Sequence, residues 1–560
     1  MYKGVKIQNM NDYRVLIIDD QSLVHDSLKK NLTNLGFHKI HSATNAHYAV
    51  RLCETITFDF IFLSFNVNSD KDGFHLYEEL KFCGHITAQT TVIFLSADTS
   101  QDLVNSIVEL EPDDFWAKPL DTRTIINRVE FLINSRKRLN KLFGFVDKQQ
   151  FAAAIYTAER NLKMPELEEY FPKIKRIIGT SLFKLHQFDE AEQYYRKLLI
   201  QHNYSWLHIE LCRSLLKLKK EQEAEVMLSD LFLRDDTRFA AYDLITSYCI
   251  DNERFTEAYN YIKRATLLAP RNINRNKKLW DLARLNHDRL GQYKATISIY
   301  KYAKNSIHDS PHLKLNVIRS AIDLASASHK SESGSLLKNV NLLLSQLEKS
   351  NYDNEINSQI TVVKARMASL VQNKSLAENL LNEIYDDSVH DLLEDNLDKM
   401  KAFHEVGNKE RTHRILSLVK KQIAGDNLSS KVIDKYLEQE SIERTEINFT
   451  PKELKEMAEV NYKNNRFKPA FMNLSQAFVL APNNIAIAIS LLKILVKLTI
   501  HEAIDEEQEA IINKIKALKN ESEFGTKNTA LYNQYLFSLK RHPEQKEYSD
   551  SISPNNEPSK

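Results

Sequence analysis

Four apolar runs within the first 120 residues each stop on a side chain with chemistry to offer. Tyr13-Arg14-Val15-Leu16-Ile17-Ile18 runs into the acidic pair Asp19 and Asp20. Phe58-Asp59-Phe60-Ile61-Phe62-Leu63 ends at Ser64, and Thr91-Val92-Ile93-Phe94-Leu95 ends at Ser96-Ala97. A further segment, Asp114-Phe115-Trp116-Ala117, leads to Lys118-Pro119. The stretches between have helical spacing, beginning with Ser22 to Leu35, which Gly36 stops. Short buried runs alternating with amphipathic helices predict a parallel sheet covered on both faces. Polar residues at the carboxyl ends of such strands lie where open α/β sheets bind their ligands.

The chain has 560 residues and a mass of 65.0 kDa, too much for one core. Its 76 basic and 75 acidic residues leave a net charge of +1, which argues against nucleic acid as a partner. Only 11 glycines and 12 prolines disfavour an all-β protein and suit long helices. Cys53, Cys83, Cys212 and Cys249 are scattered, as expected of reduced thiols in a cytoplasmic protein. Met1 to Asn11 carries no apolar signal core. The most apolar helical stretch, Ile485 to Leu498, contains Lys493 and Lys497 and is too short to span a membrane.

Beyond residue 145 the strand signals stop and helical pairs repeat. Aligning alanines that follow an aromatic picks out Ala154, Ala191, Ala258, Ala295 and, far downstream, Ala470, with Ala224 fitting between them without the aromatic. In chain order the first five are 37, 33, 34 and 37 residues apart. Small residues precede five of them by twelve positions, at Gly179, Cys212, Thr246, Ala283 and Ala458. Pro270 and Pro482 each close a unit twelve residues after its alanine. Small residues let antiparallel helices approach closely, and the aromatic fills the junction with the next unit. A period near 34 residues with this pattern resembles the tetratricopeptide repeat. Ala365, Ala377 and Ala402 mark degenerate hairpins.

The strand-end residues of the first third are similar to those of the response-regulator receiver family. The loop from Ser64 through Phe65 and Asn66 to Asp72-Gly73 resembles a subgroup that joins its receiver to tetratricopeptide repeats, auxiliary regulators of a sensor-kinase phosphorelay. The resemblance implies that Asp19 and Asp20 form an acidic pocket for a divalent cation, with Asn66 offering its backbone carbonyl. It also implies that Ser96 and Lys118 contact a phosphoryl group, and that Phe115 is an aromatic that changes rotamer on activation. The departure is Ser64, which stands at the phosphoacceptor aspartate position. A neutral hydroxyl without an adjacent base is a poor nucleophile, and losing a carboxylate leaves at most weak Mg²⁺ binding. Read without the resemblance, Asp19, Asp20 and Lys118 form an ion-pair cluster closing the strand ends, each pair about 4 kcal/mol at about 4 Å before desolvation.

The expected architecture is an α/β receiver (flavodoxin-like, five-stranded parallel sheet) followed by an all-α tetratricopeptide-like helical solenoid. Its boundaries are an N-terminal extension at 1–11, the degenerate receiver at 12–136 and a helical connector at 137–145. Repeats follow at 146–310, degenerate hairpins at 311–445, further repeats at 446–540 and a disordered tail at 541–560. Polar breaks are expected near Asn427 to Ser430 and from Glu440 to Pro451. The first helices, near Arg176, Lys184, His208 and Tyr242, should line a groove for a peptide or domain. His25, His38, His41, His47 and His75 read as solvated surface histidines, and the basic clusters at Lys217 to Lys220 and Arg271 to Lys278 as solvated helix ends. No enzymatic motif is present. The function expected is a non-catalytic adaptor that binds a sensor histidine kinase or its response regulator and inhibits phosphotransfer. The rival is a switched regulator phosphorylated on a substitute such as Asp70 or Asp72.

Overall fold

The computed structural model describes residues 10, 12–67, 71–87, 89–327, 330–350, 352, 354–384, 391–423, 428–447, 449–500, 503–521 and 524–550. The expected N-terminal extension, apart from Met10, and the candidate Asp70 lie outside them. The chain forms two compact units, Met1–Asn276 with Ser298–Asp309, and Lys277–Ile297 with Ser310–Lys560.

The first unit opens with five strands, β1 (Arg14–Ile18), β2 (Lys39–Ala43), β3 (Phe60–Ser64), β4 (Thr91–Ser96) and β5 (Asp114–Ala117). All pair in parallel, in the order β2-β1-β3-β4-β5. Leu16, Ile18, Ile61, Leu63 and Phe94 enter one core layer, while Val15, Ile17, Phe60, Phe62, Ile93 and Leu95 enter the other. That alternation explains why the strands read as unbroken apolar runs. The covering helices are α1 (Ser22–Asn34), α2 (Ala46–Thr55), α3 (Gly73–Phe82), α4 (Gln101–Glu109) and α5 (Thr122–Asp147). Gly36, at φ +93°, ends the chain's first helical turn-out as expected. The expected connector is the second half of α5, which runs 26 residues without interruption.

Helices then follow in pairs: α6 (Phe151–Asn161), α7 (Phe171–Lys184), α8 (Phe188–Leu199), α9 (Ser205–Lys217), α10 (Glu221–Leu233), α11 (Arg238–Asp251), α12 (Phe255–Leu268), α13 (Ile273–Leu285) and α14 (Arg289–Ala303). After them come α15 (Pro311–Ala325), α16 (Lys330–Glu348), α17 (Asn354–Leu370), α18 (Lys374–Asn382), α19 (Leu393–Glu405) and α20 (Lys409–Ile423). The last six are α21 (Leu428–Glu446), α22 (Pro451–Lys463), α23 (Phe467–Leu480), α24 (Ile485–Leu498), α25 (Glu506–Glu521) and α26 (Gly525–Asp550). No helix among the described residues is long and apolar enough to cross a membrane. The backbone is helical to Asp550, where a disordered tail was expected from 541, and 551–560 lie outside the described residues.

One turn recurs through this region. Gln149, His186, Lys219, Glu253, His287, Gln372, Gly407 and Asn465 all have positive φ. In each case the next residue donates its N–H to the carbonyl five positions back, as Gln187 does to Leu182 and Arg466 to Asn461. These are Schellman turns, and the second helix of the pair starts two residues after the left-handed one. Counting from the turn gives the structural register. Five residues on stand Ala154, Ala191, Ala224, Ala258, Gln292, Ala377, Thr412 and Ala470, and seven residues back stand Gly179, Cys212, Thr246, Trp280, Ala365, Met400 and Ala458.

Ala283 and Ala295 are therefore assigned one helical turn too late. Both are buried, but the matching positions hold Trp280 and Gln292, and Arg289 replaces the aromatic. A shift of three residues stays on the same helix face, so burial alone could not separate the two registers. The drift between 310 and 445 comes with two 19-residue helices, α16, which is the long partner of α15, and α21, which stands between regular pairs. The expected polar break is α21 itself: its Glu440 and Glu443 are buried, paired with Arg444 and His287.

The second unit also buries a charged network. Arg366 pairs with Asp323, Asp398 and Glu405 at 2.7 Å each, and Lys401 pairs with Asp323 at 2.7 Å. With Arg284, Arg289, Glu440 and Arg444, the groups Asp323, Arg366, Lys401 and Glu405 line a cavity of about 60 Å³. Burial pushes the His287 imidazole down to about 4.

A Cβ added to Gly179 would lie 2.3 Å from the ring of Tyr195, which is itself fully buried and has nowhere to move. Gly179→Ala and Ala258→Leu should each cost about 1–3 kcal/mol through overpacking. Urea denaturation of the full chain measures this, and unchanged midpoints would contradict the register.

Candidate functional site

The polar residues gather at the carboxyl edge of the sheet because β1, β3, β4 and β5 all end there. Asp19 is fully buried, Ser64 and Ser96 nearly so. The Lys118 ammonium reaches across to Asp19 Oδ2 at 2.6 Å and donates to Ser64 Oγ at 3.1 Å. The other Asp19 oxygen accepts the Gln21 N–H at 2.9 Å. Both carboxylate oxygens are thus engaged, and Asp20 points to solvent. Ser96 Oγ turns into its own loop, donating to Asp98 O at 2.8 Å and accepting the Asp98 N–H at 3.1 Å. Asn66 is exposed, and Phe115 is half-buried against the core layer that contains Phe94.

Of the ion-pair cluster that the residues alone suggested, Asp19 and Lys118 are paired and Asp20 stays outside. Ser64 supplies a neutral acceptor where a third carboxylate would give a hard cation its charge. Among the described residues no group of three or more His, Cys, Asp or Glu side chains is placed to hold a metal ion. The donor set does not fit a tightly held divalent cation. One carboxylate is spent on Lys118 and Gln21, and the hydroxyl faces an ammonium.

Several residues around the site were misread or missed. His25 is buried, with Nε2 2.8 Å from Asp19 O, and His75 is buried, with Nε2 2.7 Å from Tyr302 O, so neither is a solvated surface histidine. Asp72 caps α3 by accepting the His75 N–H at 3.0 Å and pairs with Arg271 at 2.5 Å. Arg271 also stacks over Phe65, 4.9 Å from the ring centre, so it grips both ends of the loop that leaves Ser64. Gly73 is required there, since a Cβ would stand 2.2 Å from Ser64 O. Arg275 is only 3% exposed and bonded to carboxylates. Within the cluster from Arg271 to Lys278, Arg271 and Arg275 are therefore not solvated, whereas Lys277 and Lys278 are exposed as expected. Sequence held no local sign of this, because Arg271 and Asp72 are 199 residues apart.

Three of the four cysteines, Cys53, Cys212 and Cys249, are buried and all four are free. Burial pushes the Cys53 and Cys212 thiols up to about 12 and Cys249 to about 11, which makes them inert.

Residues 15–130 match the response regulator receiver domain family. A probable transcriptional regulator, ycf27 of Cyanidium caldarium, is 26% identical over 129 residues, which make up 22% of this chain and 48% of that protein. The chain therefore spans about half the length of this curated relative. The receiver domain of the Francisella response regulator 1452 is 27% identical, covering 22% of this chain and 96% of its own, with a TM-score of 0.19. The chemotaxis response regulator CheY4 of Vibrio cholerae is 18% identical, covering 21% and 96%, with a TM-score of 0.19.

Two outcomes follow from this geometry. Acetyl phosphate with Mg²⁺ should add no phosphoryl group to the chain, and intact-mass spectrometry checks it; a stoichiometric gain would show that another residue accepts. The second concerns Glu78 on α3, whose Oε2 is buried without a partner. Burial, then the nearby Asp72 charge, pushes its carboxyl from 4.5 up to about 7. A raised carboxyl pKa favours the neutral acid in the folded state, so this contribution is lost as pH rises from about 4.5 through about 7. Glu78→Gln should flatten that fall and stabilise the protein at pH 8 by about 1–3 kcal/mol, read by thermal denaturation across pH.

Proposed function

We propose that this receiver domain works without accepting phosphate, as a non-catalytic adaptor that binds a sensor histidine kinase or its response regulator and inhibits phosphotransfer between them. One observation carries the reading: Lys118, the group that would neutralise an incoming phosphoryl, is already satisfied by Asp19 and by the neutral Ser64. The sheet and its flanking helices are complete around that closed pocket. On α1, Leu23 stands 81% exposed, an apolar contact available to a partner beside the strand ends. A protein that keeps the docking surface of a receiver but lacks its acceptor competes with the true substrate.

The eight like-turned hairpins support the tetratricopeptide reading, and with it a protein partner for the helical region. The loop from Ser64 to Gly73 resembles that of the auxiliary response regulator VieB, which fits the same role. A cytoplasmic location and weak Mg²⁺ binding belong to this proposal. The alternative, a switch driven by phosphate on Asp72, meets the obstacle that this carboxylate already caps α3 and pairs with Arg271.

Two linked contacts, one from the receiver and one from the helices, raise avidity by about 10²–10⁴ over either alone. Phosphotransfer from the cognate kinase to its regulator should fall as the full chain is added up to equimolar amounts. An unchanged transfer rate would rule out inhibition.

A further inference from the structure

We propose that the face presented by the first helices of the N-terminal hairpins is already occupied, and that its ligand is the chain's own receiver. The receiver offers an acidic strip where α4 passes into β5, formed by Glu109, Glu111 and Asp113. Two first helices answer it. On α7, Lys173 Nζ lies 3.9 Å from Asp113 and Arg176 lies 3.8 Å from Glu111. On α13, Arg275 bonds Glu109, with one nitrogen 3.3 Å from Oε2, and also holds Asp243 of α11, with Nε 2.8 Å from Oδ1. Arg176 and Asp243 each stand ten residues before the left-handed residue of their own hairpin, His186 and Glu253. Arg176, which meets the receiver, is one of the first-helix residues expected to line a groove for a foreign peptide.

Neutral contacts extend the strip in both directions. Gln101 Nε2 donates to Asp235 O at 3.4 Å, Asn105 Nδ2 donates to Leu268 O at 3.3 Å, and the His75 ring meets Tyr302 O. The pairs made by Lys173 and Arg176 are about half-exposed and contribute little. Arg275 is the anchor, because it is desolvated and its planar fork serves two carboxylates. A foreign acidic segment seeking this face must first displace the receiver. The helical region is thus self-occluded across its first hairpins, independently of whether the adaptor reading holds.

The intact chain tests this in two ways. Carbodiimide, which joins a carboxylate to an amine at contact distance, should give a cross-linked peptide containing Asp113 and Lys173 from monomeric protein. Hydrogen exchange of Arg275→Gln should show α4 amides opening about tenfold or more faster, since one partner of a buried charged pair is lost. Amides of β1 and β3 should stay as in the parent, which separates undocking from unfolding. If the variant unfolds throughout, the cross-link alone decides. No 113–173 link in the intact chain, or α4 exchange in the variant equal to the parent's, overturns the proposal.

Discussion

A single left-handed residue between paired helices sets the geometry of most of this molecule. Because the second helix always starts two residues later, the turn fixes which residues meet between the helices and which are left for the outside. Asn and Gly are the residues best suited to such a position, yet six of the eight are Gln, His, Lys or Glu. Each accepts a modest backbone cost, which the N–H bond to the carbonyl five residues back and the buried helix contacts offset.

The receiver pocket shows a different economy. In an ordinary phosphoacceptor site the lysine stands ready for a charge that comes and goes. Here Lys118 and Asp19 satisfy one another in a nearly dry environment, and Ser64 completes the lysine's coordination without adding charge. A buried pair is a weak source of net stability, but removing either partner is costly because the other is then stranded. The pocket is held by the same physics whether or not any chemistry passes through it. The strand ends of a receiver fold can thus be closed by one ion pair and a neutral hydroxyl.

The sheet was legible in sequence because its signal is local: period-two burial on two covered faces, ended by polar residues at one edge. Asp19, Ser64 and Lys118 stand together at that edge for that reason, while Ser96 lies there but bonds its own loop. The hairpins were legible where alanine and aromatic recur, and went out of register at Trp280, Arg289 and Gln292, where neither does. The helix of Leu428–Glu446 looked like a polar break because its buried Glu440 and Glu443 are charged residues whose partners lie elsewhere in the chain or on the same helix. His75 and Arg275 were unreadable for a related reason, since their partners are 227 and 166 residues away. Local pattern carries burial and helicity well. It does not carry which distant carboxylate will meet a given arginine.

The charged interior around Arg366 bears on how such a sequence can change over time. Asp323 is shared by Arg366 and Lys401, and Arg366 is shared in turn by Asp398 and Glu405. Losing any one of them leaves an uncompensated ion inside the fold, whereas exchanging several together for well-packed apolar groups can be neutral. Substitutions here are tied to one another, so the region drifts in linked steps rather than one position at a time. Relatives of this chain should therefore hold the whole set or replace it as a block.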